Sequence, residues 1–236
     1  FTVEQADKEL DMDRENLRVF LHRLESDGAI ERLERGKYIV IPQTSRKGEY
    51  TLDEYVIGSV LVEPHAIAYW SALDYHGLTE QIPGTVFVQT TSRKKKQNVT
   101  IFGVKYRIVR VIDYKFFGLK PVWIEGKQVY ITDREKTIID CLDHPEYCGG
   151  VSEPAKAIQE HRDEFDLKTL GEYSRRIKNT GVIRRLGYLC DLYSIPISLP
   201  EITSRNYLYL DPTMPHQGEP DSQWRLNINI DPGELA

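Results

Sequence analysis

The chain has 236 residues, more than the ~100 to 150 at which single domains are commonest, so two domains are expected. Hydrophobic residues at 40% and charged residues at 28% fit a globular protein, and 31 Lys and Arg against 36 Asp and Glu, a net charge of -5, exclude a chain that is basic throughout. No apolar run approaches the ~18 residues of a membrane span, no signal-peptide layout opens the chain, and Cys141, Cys148 and Cys190 suit neither a disulfide framework nor a C-x-x-C zinc knuckle, so a cytoplasmic protein is expected.

The sequence starts at Phe1, without Met, inside a stretch that already reads as helical, so a first helix of the natural protein is expected to be missing. Thr2, followed by Glu4 and Gln5, predicts the cap of a short helix through Leu10; Asp11-Met12-Asp13 then breaks the pattern and offers Asp13 as a second cap. From Arg14 to Asp27 the residues Leu17, Phe20, Leu21 and Leu24 fall at i, i+3, i+4 and i+7, one buried stripe, and Gly28 stops the helix. The other face carries Arg14, Glu15, Arg18, His22 and Glu25, bordered by Asn16 and Arg23. Ala29 to Ile41, alternating about Glu34-Arg35-Gly36-Lys37, predicts a two-stranded hairpin.

Helix, turn, helix and a basic-tipped hairpin is the winged-helix order, in which the second helix enters the major groove and the wing touches phosphate. The stretch Leu24 to Arg32 resembles the helix-to-wing junction of many prokaryotic regulators of that kind. Charge from Asp13 to Lys37 sums to zero, six positives against six negatives, so placement carries the argument: Arg14 and Arg18 lie one turn apart, and Arg35 and Lys37 bracket Gly36. This first domain spans 1–42, and the polar stretch 43–51 reads as a linker.

In the second domain, 52–236, Leu52 to Val62 and Pro64 to His76 predict two helices, the latter stopped by Gly77. Strands are predicted at Thr85 to Thr90, Val99 to Phe102, Lys105 to Val111, Val122 to Ile124 and Gln128 to Ile131, forming a mostly antiparallel sheet. Helices follow from Thr132 to Leu142, Pro154 to His161, Leu167 to Lys178 and Thr180 to Tyr193. The tail after Glu201 is rich in Pro and ends in the alternating run Trp224 to Ile230, a final strand. The fold class expected is α+β: a winged helix-turn-helix followed by a larger domain of helices and antiparallel sheet.

Two stretches of this domain carry a resemblance. Pro64-His65-Ala66-Ile67-Ala68-Tyr69-Trp70-Ser71-Ala72-Leu73-Asp74-Tyr75-His76-Gly77-Leu78-Thr79, with Ile82-Pro83 and the strand Val86 to Thr90, resembles the AbiEi antitoxin family of type IV toxin-antitoxin systems. Ile131 to Leu142, with Pro145 and Gly149-Gly150, is similar to that family's second signature. The resemblance implies an abortive-infection antitoxin whose winged helix represses its own operon. Its C-terminal domain would counteract a nucleotidyltransferase toxin without a stable complex. The chain departs from the family at its start, where members carry a helix before Thr2. The residues also have a plainer reading: His65, Tyr69, Trp70, Leu73 and His76 recur about once per helical turn and read as core packing, and Ser71, Asp74 and His76 on one helix point apart and form no triad.

Charge segregates in this domain. Thr91 to Lys120 holds nine positives, Arg93, Lys94, Lys95, Lys96, Lys105, Arg107, Arg110, Lys115 and Lys120, against Asp113 alone. A second group, Arg175, Arg176, Lys178, Arg184 and Arg185, is opposed within Gly171 to Gly187 only by Glu172. Concentrated Lys and Arg predict a phosphate-bearing or acidic partner, whether DNA, RNA or protein. An enzymatic alternative is a Mg²⁺-dependent nuclease using Asp113, Glu125 and Lys127, although Glu125-Gly126-Lys127 also reads as a hairpin turn. The preferred reading has no catalytic residue, metal or cofactor. Its partners are operator DNA, contacted by Arg14, Asn16, Arg18, His22 and Arg23 from the helix and Arg32, Arg35 and Lys37 from the wing, and the antagonised toxin. A regulator of an unrelated operon, without a toxin, is the other alternative.

Overall fold

The computed structural model describes residues 1–41 and 52–235; the expected linker lies outside the described residues. The chain divides into two compact units, residues 1–53 with 100–103, and residues 54–99 with 104–236. The architecture is mixed α+β, with eight α-helices among the described residues.

In the first unit α1 (Val3–Leu10) is opened by a reciprocal cap. The Gln5 amide donates to Thr2 Oγ1 at 3.2 Å and the Thr2 amide to Gln5 Oε1 at 2.8 Å, so two otherwise orphaned donors are satisfied. Asp13 caps α2 (Arg14–Ser26) by accepting from the amides of Glu15 and Asn16, both at 3.0 Å. Gly28, at φ 72°, turns the chain into an antiparallel hairpin of β1 (Ile30–Glu34) and β2 (Lys37–Val40). Before α1, Thr2 bridges Lys37 as an extra strand position, and the Tyr38 amide donates to Phe1 O at 2.9 Å. Leu17 and Leu21 from the expected stripe join Ala6 and Ile30 in a small core, with Val3, Met12, Leu24 and Tyr38 against it.

The second unit is built on a sheet of β3 (Ala66–Ile67), β4 (Thr85–Thr90), β6 (Val104–Arg110), β7 (Leu119–Ile124) and β8 (Lys127–Thr132), in the order β6-β4-β3-β8-β7; in the chain β5 (Asn98–Ile101), whose last two residues belong to the first unit, comes between β4 and β6. It is mixed rather than mostly antiparallel. Strands β4 and β6 pair in parallel over six residues and β3 pairs in parallel with β8, while β3–β4 and β7–β8 are antiparallel. Short turns between strands suggest antiparallel neighbours, but β6 pairs with β4 rather than leaving that place to β5, and this skip reverses the relative direction. Strand β4 is buried along nearly its whole length, as central parallel strands are.

The helix expected over Pro64 to His76 is also corrected. Ala66–Ile67 enters the sheet, and only α4 (Trp70–Tyr75) is helical. Ser71 Oγ accepts from the Phe87 amide at 2.9 Å and holds α4 against β4, while Asp74 accepts from the Tyr55 hydroxyl at 2.7 Å and His76 Nε2 bonds Thr132 O at 2.7 Å. Each candidate triad member therefore has a separate structural task. Preceding the sheet is α3 (Glu54–Leu61), and behind it lie α5 (Arg134–Asp143), α6 (Ser152–Glu160), α7 (Leu167–Arg176) and α8 (Thr180–Leu192). Helix α5 packs against α4, α6, α7 and α8. It buries an ion pair between Lys136 and Asp140, and burial pushes the Asp140 carboxyl up while Lys136 opposes that shift.

The tail is part of this unit's core. Strands β9 (Leu208–Tyr209), β10 (Glu219–Asp221) and β11 (Leu226–Ile228) form a three-stranded sheet, and Leu210, Leu226, Ile230 and Leu235 are buried with α5 and α8. The Trp224 indole lies directly over Gly187 in mid-α8 and donates from Nε1 to Asp191 Oδ2 at 2.7 Å. A glycine inside a helix is unfavourable by about 1 kcal/mol against alanine, and here close approach of the tail accounts for it.

Two predictions follow from this packing. Gly187→Ala puts a Cβ inside the Trp224 ring and should cost about 1–3 kcal/mol in denaturant unfolding with earlier proteolysis of the tail, whereas Gly84→Ala, with open space around it, should stay within about 0.5 kcal/mol. Asp140→Asn strands a buried Lys136 cation and should cost about 3–5 kcal/mol, while the double change Lys136→Met, Asp140→Leu should recover much of that loss.

Candidate nucleic-acid interface

Within the first unit the start of α1, one shoulder of α2 and the hairpin enclose a cleft of about 690 Å³. Leu17, Leu21, Val3 and Tyr38 line it together with Arg14 and Arg18 from α2, Arg32 from β1 and Arg35 from the hairpin turn; Glu4 and Asp7 are on its wall. Four guanidinium groups from two separate elements are thus gathered on one concavity. The guanidinium groups of Arg14, Arg18 and Arg35 make no ion pair or hydrogen bond with a described residue, whereas Arg32 Nε donates to Glu34 O at 3.4 Å. Hydrogen bonds at its own amide and from Thr2, then the charges of Arg14 and Lys37, hold the Glu4 carboxyl below its ordinary value. Unpaired cations concentrated over an apolar floor favour an anion, and guanidinium forks match phosphate oxygens.

The expected recognition face is divided by this geometry. Arg14 and Arg18 sit beside the buried stripe and face the cleft, whereas His22 and Arg23 are exposed on the outer surface of α2. Asn16 is exposed, but its side-chain amide donates to Asp13 and so serves the helix cap. Lys37 forms an ion pair with Glu34 at 2.9 Å, which offsets its charge. Sequence reasoning missed Val19, which is 60% exposed in the middle of that outer face. The signal was an apolar residue off the i, i+3, i+4 stripe.

On the second unit Arg93, Lys95, Lys96 and Lys105 are exposed, and their side chains bond no described residue. Other members of the segment have local work: Lys94 Nζ donates to Leu61 O at 2.6 Å, Arg110 Nε to Thr91 O at 3.1 Å, and Arg107 donates to Asn98 Oδ1 at 2.8 Å while covering the Tyr147 ring.

The second basic group is corrected in part: Arg175, Arg176 and Lys178 are exposed, and Arg175 donates to Ser198 O at 3.0 Å. Arg184 and Arg185 are buried; Arg184 donates to Asn206 O at 2.8 Å, and Arg185 to Leu210 O at 2.8 Å and Leu142 O at 2.9 Å. Arg176 covers Phe117 and Lys178 covers Tyr114, both as cation–π contacts. These cations hold the tail and the loop after β6 to the helices. Glu125 and Gly126, at φ 48° and 73°, form the two-residue turn between paired Ile124 and Lys127, as the hairpin reading of Glu125-Gly126-Lys127 expects. Asp113 lies on a separate 3₁₀ turn, and no group of three or more His, Cys, Asp or Glu placed to hold a metal ion is found among the described residues. Nor is any helix of the described residues long and apolar enough to cross a membrane.

A scan against protein-family models and a search of the curated proteins find no match. Among solved structures, the crystal structure of the RV2827C protein from Mycobacterium tuberculosis is similar: the TM-score is 0.66 at 14% identity, over 99% of this chain and 87% of that one. At this identity the likeness is one of fold alone.

The division into exposed and buried cations is measurable by stability. Arg185→Met, which leaves three carbonyls without their donor, should cost about 2–4 kcal/mol, and Lys95→Ala with Lys96→Ala should change denaturant unfolding by less than about 0.5 kcal/mol.

Proposed function

We propose that this chain is a DNA-binding autorepressor of the AbiEi type, whose first unit acts as a winged helix and whose second unit antagonises a nucleotidyltransferase toxin. The observation that carries the DNA-binding part is the convergence of Arg14, Arg18, Arg32 and Arg35 on one cleft of a unit built as bridge, helix, helix and hairpin. Strand position Thr2, which pairs with the hairpin before α1, belongs to the same arrangement and supports it. In this reading α2 enters the major groove, the hairpin tip follows the adjacent backbone, and Arg93, Lys95, Lys96 and Lys105 add phosphate contacts from the second unit. The protein works in the cytoplasm and needs neither metal nor cofactor.

The antitoxin part rests on the resemblance of two stretches, and their packing supports treating them as one element. Ile67 in the first pairs with Ile131 in the second, and His76 bonds Thr132 O. A salt titration of binding to duplex DNA from upstream of its own gene tests the DNA-binding part. Each phosphate neutralised contributes about 0.9 to the slope of log K against log salt, so Arg14→Ala with Arg18→Ala should flatten that slope by about 2 and weaken binding. Lys95→Ala with Lys96→Ala should flatten it without altering sequence preference. Unchanged affinity in the first pair overturns the assignment of the cleft. Cleavage of the DNA in Mg²⁺ that is lost in Glu125→Ala would instead make the chain a nuclease. For the antitoxin part, co-expression with a nucleotidyltransferase encoded beside it should restore growth.

A further inference from the structure

We infer that base reading by α2 centres on Val19, which contacts the C5-methyl group of a thymine, while Arg14 and Arg18 hold backbone phosphates; this deepens the DNA-binding reading above and rests on it. Val19 is 60% exposed, and its neighbours one turn away, Glu15, Asn16, His22 and Arg23, are all exposed and polar. It belongs to neither core, since the stripe that anchors α2 is Leu17, Leu21 and Leu24. An apolar side chain in the middle of a polar helix face matches the one apolar feature that a base pair presents in the major groove, the thymine methyl. The α2 helix, 13 residues or about 20 Å long, has the size to lie in that groove.

Charge fixes the orientation. The unpaired guanidiniums of Arg14 and Arg18 lie on one shoulder of α2, beside the cleft that also holds Arg32 and Arg35. With those groups on the phosphate backbone, the outer face is turned to the base edges and Val19 is at its middle. His22 and Arg23 then supply donors, and Glu15 an acceptor, to the neighbouring pairs. The arginines thus set affinity, and Val19 sets preference.

The test uses the full chain and a duplex selected by it from a randomised pool, with each thymine of the selected site replaced in turn by uracil, which lacks only the methyl group. At one position the unaltered chain should bind the uracil duplex about fourfold more weakly, the transfer value of one buried methyl. Val19→Ala should bind the thymine and uracil duplexes equally, with an unchanged circular dichroism melt and unchanged affinity for scrambled DNA. Val19→Thr, which keeps one methyl group, should retain part of the discrimination. Uracil penalties that persist in full in Val19→Ala, or their absence in the unaltered chain, overturn the assignment of Val19 while sequence-specific binding stands. If the pool yields no selected site, the DNA-binding reading fails, and this inference fails with it.

Discussion

The larger unit depends on how the polar groups are satisfied where β8 gives way to α5. Asp133 caps α5 by accepting from the Lys136 amide at 2.8 Å, receives the Tyr173 hydroxyl of α7 at 3.1 Å, and donates its own amide to Gly118 O at 2.7 Å. One residue earlier, Thr132 shares its hydroxyl with Thr137 at 2.8 Å and offers its carbonyl to His76. Two consecutive residues therefore tie α4, α5, α7 and the loop before β7 together. Burial raises the Asp133 carboxyl even though the Lys136 amide and the Tyr173 hydroxyl draw it down. A buried carboxylate is tolerated only with such partners, so the identity of this junction constrains every element that meets it. Gly118 shows the same constraint, for a Cβ there would press on Lys136.

Burial sorts the cations of this chain into two populations. Arg184 and Arg185 direct their donors at backbone carbonyls of the tail and of the end of α5, which is what a buried guanidinium with several N–H groups does well. Arg14, Arg18 and Arg35 spend theirs on no described residue. The net charge of -5 conceals this division, because acidic residues elsewhere cancel a local excess that faces a single cleft. Only side-chain direction separates the second population from the first.

What the sequence alone determined was local. The caps Thr2 and Asp13, the stops at Gly28 and Gly77, and the strand Thr85–Thr90 were all legible, because capping bonds and side-chain periodicity act over a few residues. The reading of Glu125-Gly126 as a turn belongs with them, since a two-residue hairpin demands positive φ at both positions. What only the tertiary structure decided was partnership. Strand order, and with it the parallel pairing of β4 with β6, depends on which edges meet, and short strands carry no mark of their neighbour. The strand at Ala66–Ile67 was hidden inside an apolar run whose spacing suits a helix, and pairing with β4 and β8 overrode that preference. The candidate site was legible as a list of arginines in α2 and the hairpin. That four of them share one cleft, that Asn16 is turned to its own cap, and that Val19 stands exposed on the outer face of α2 are facts of side-chain direction, which composition and spacing do not contain.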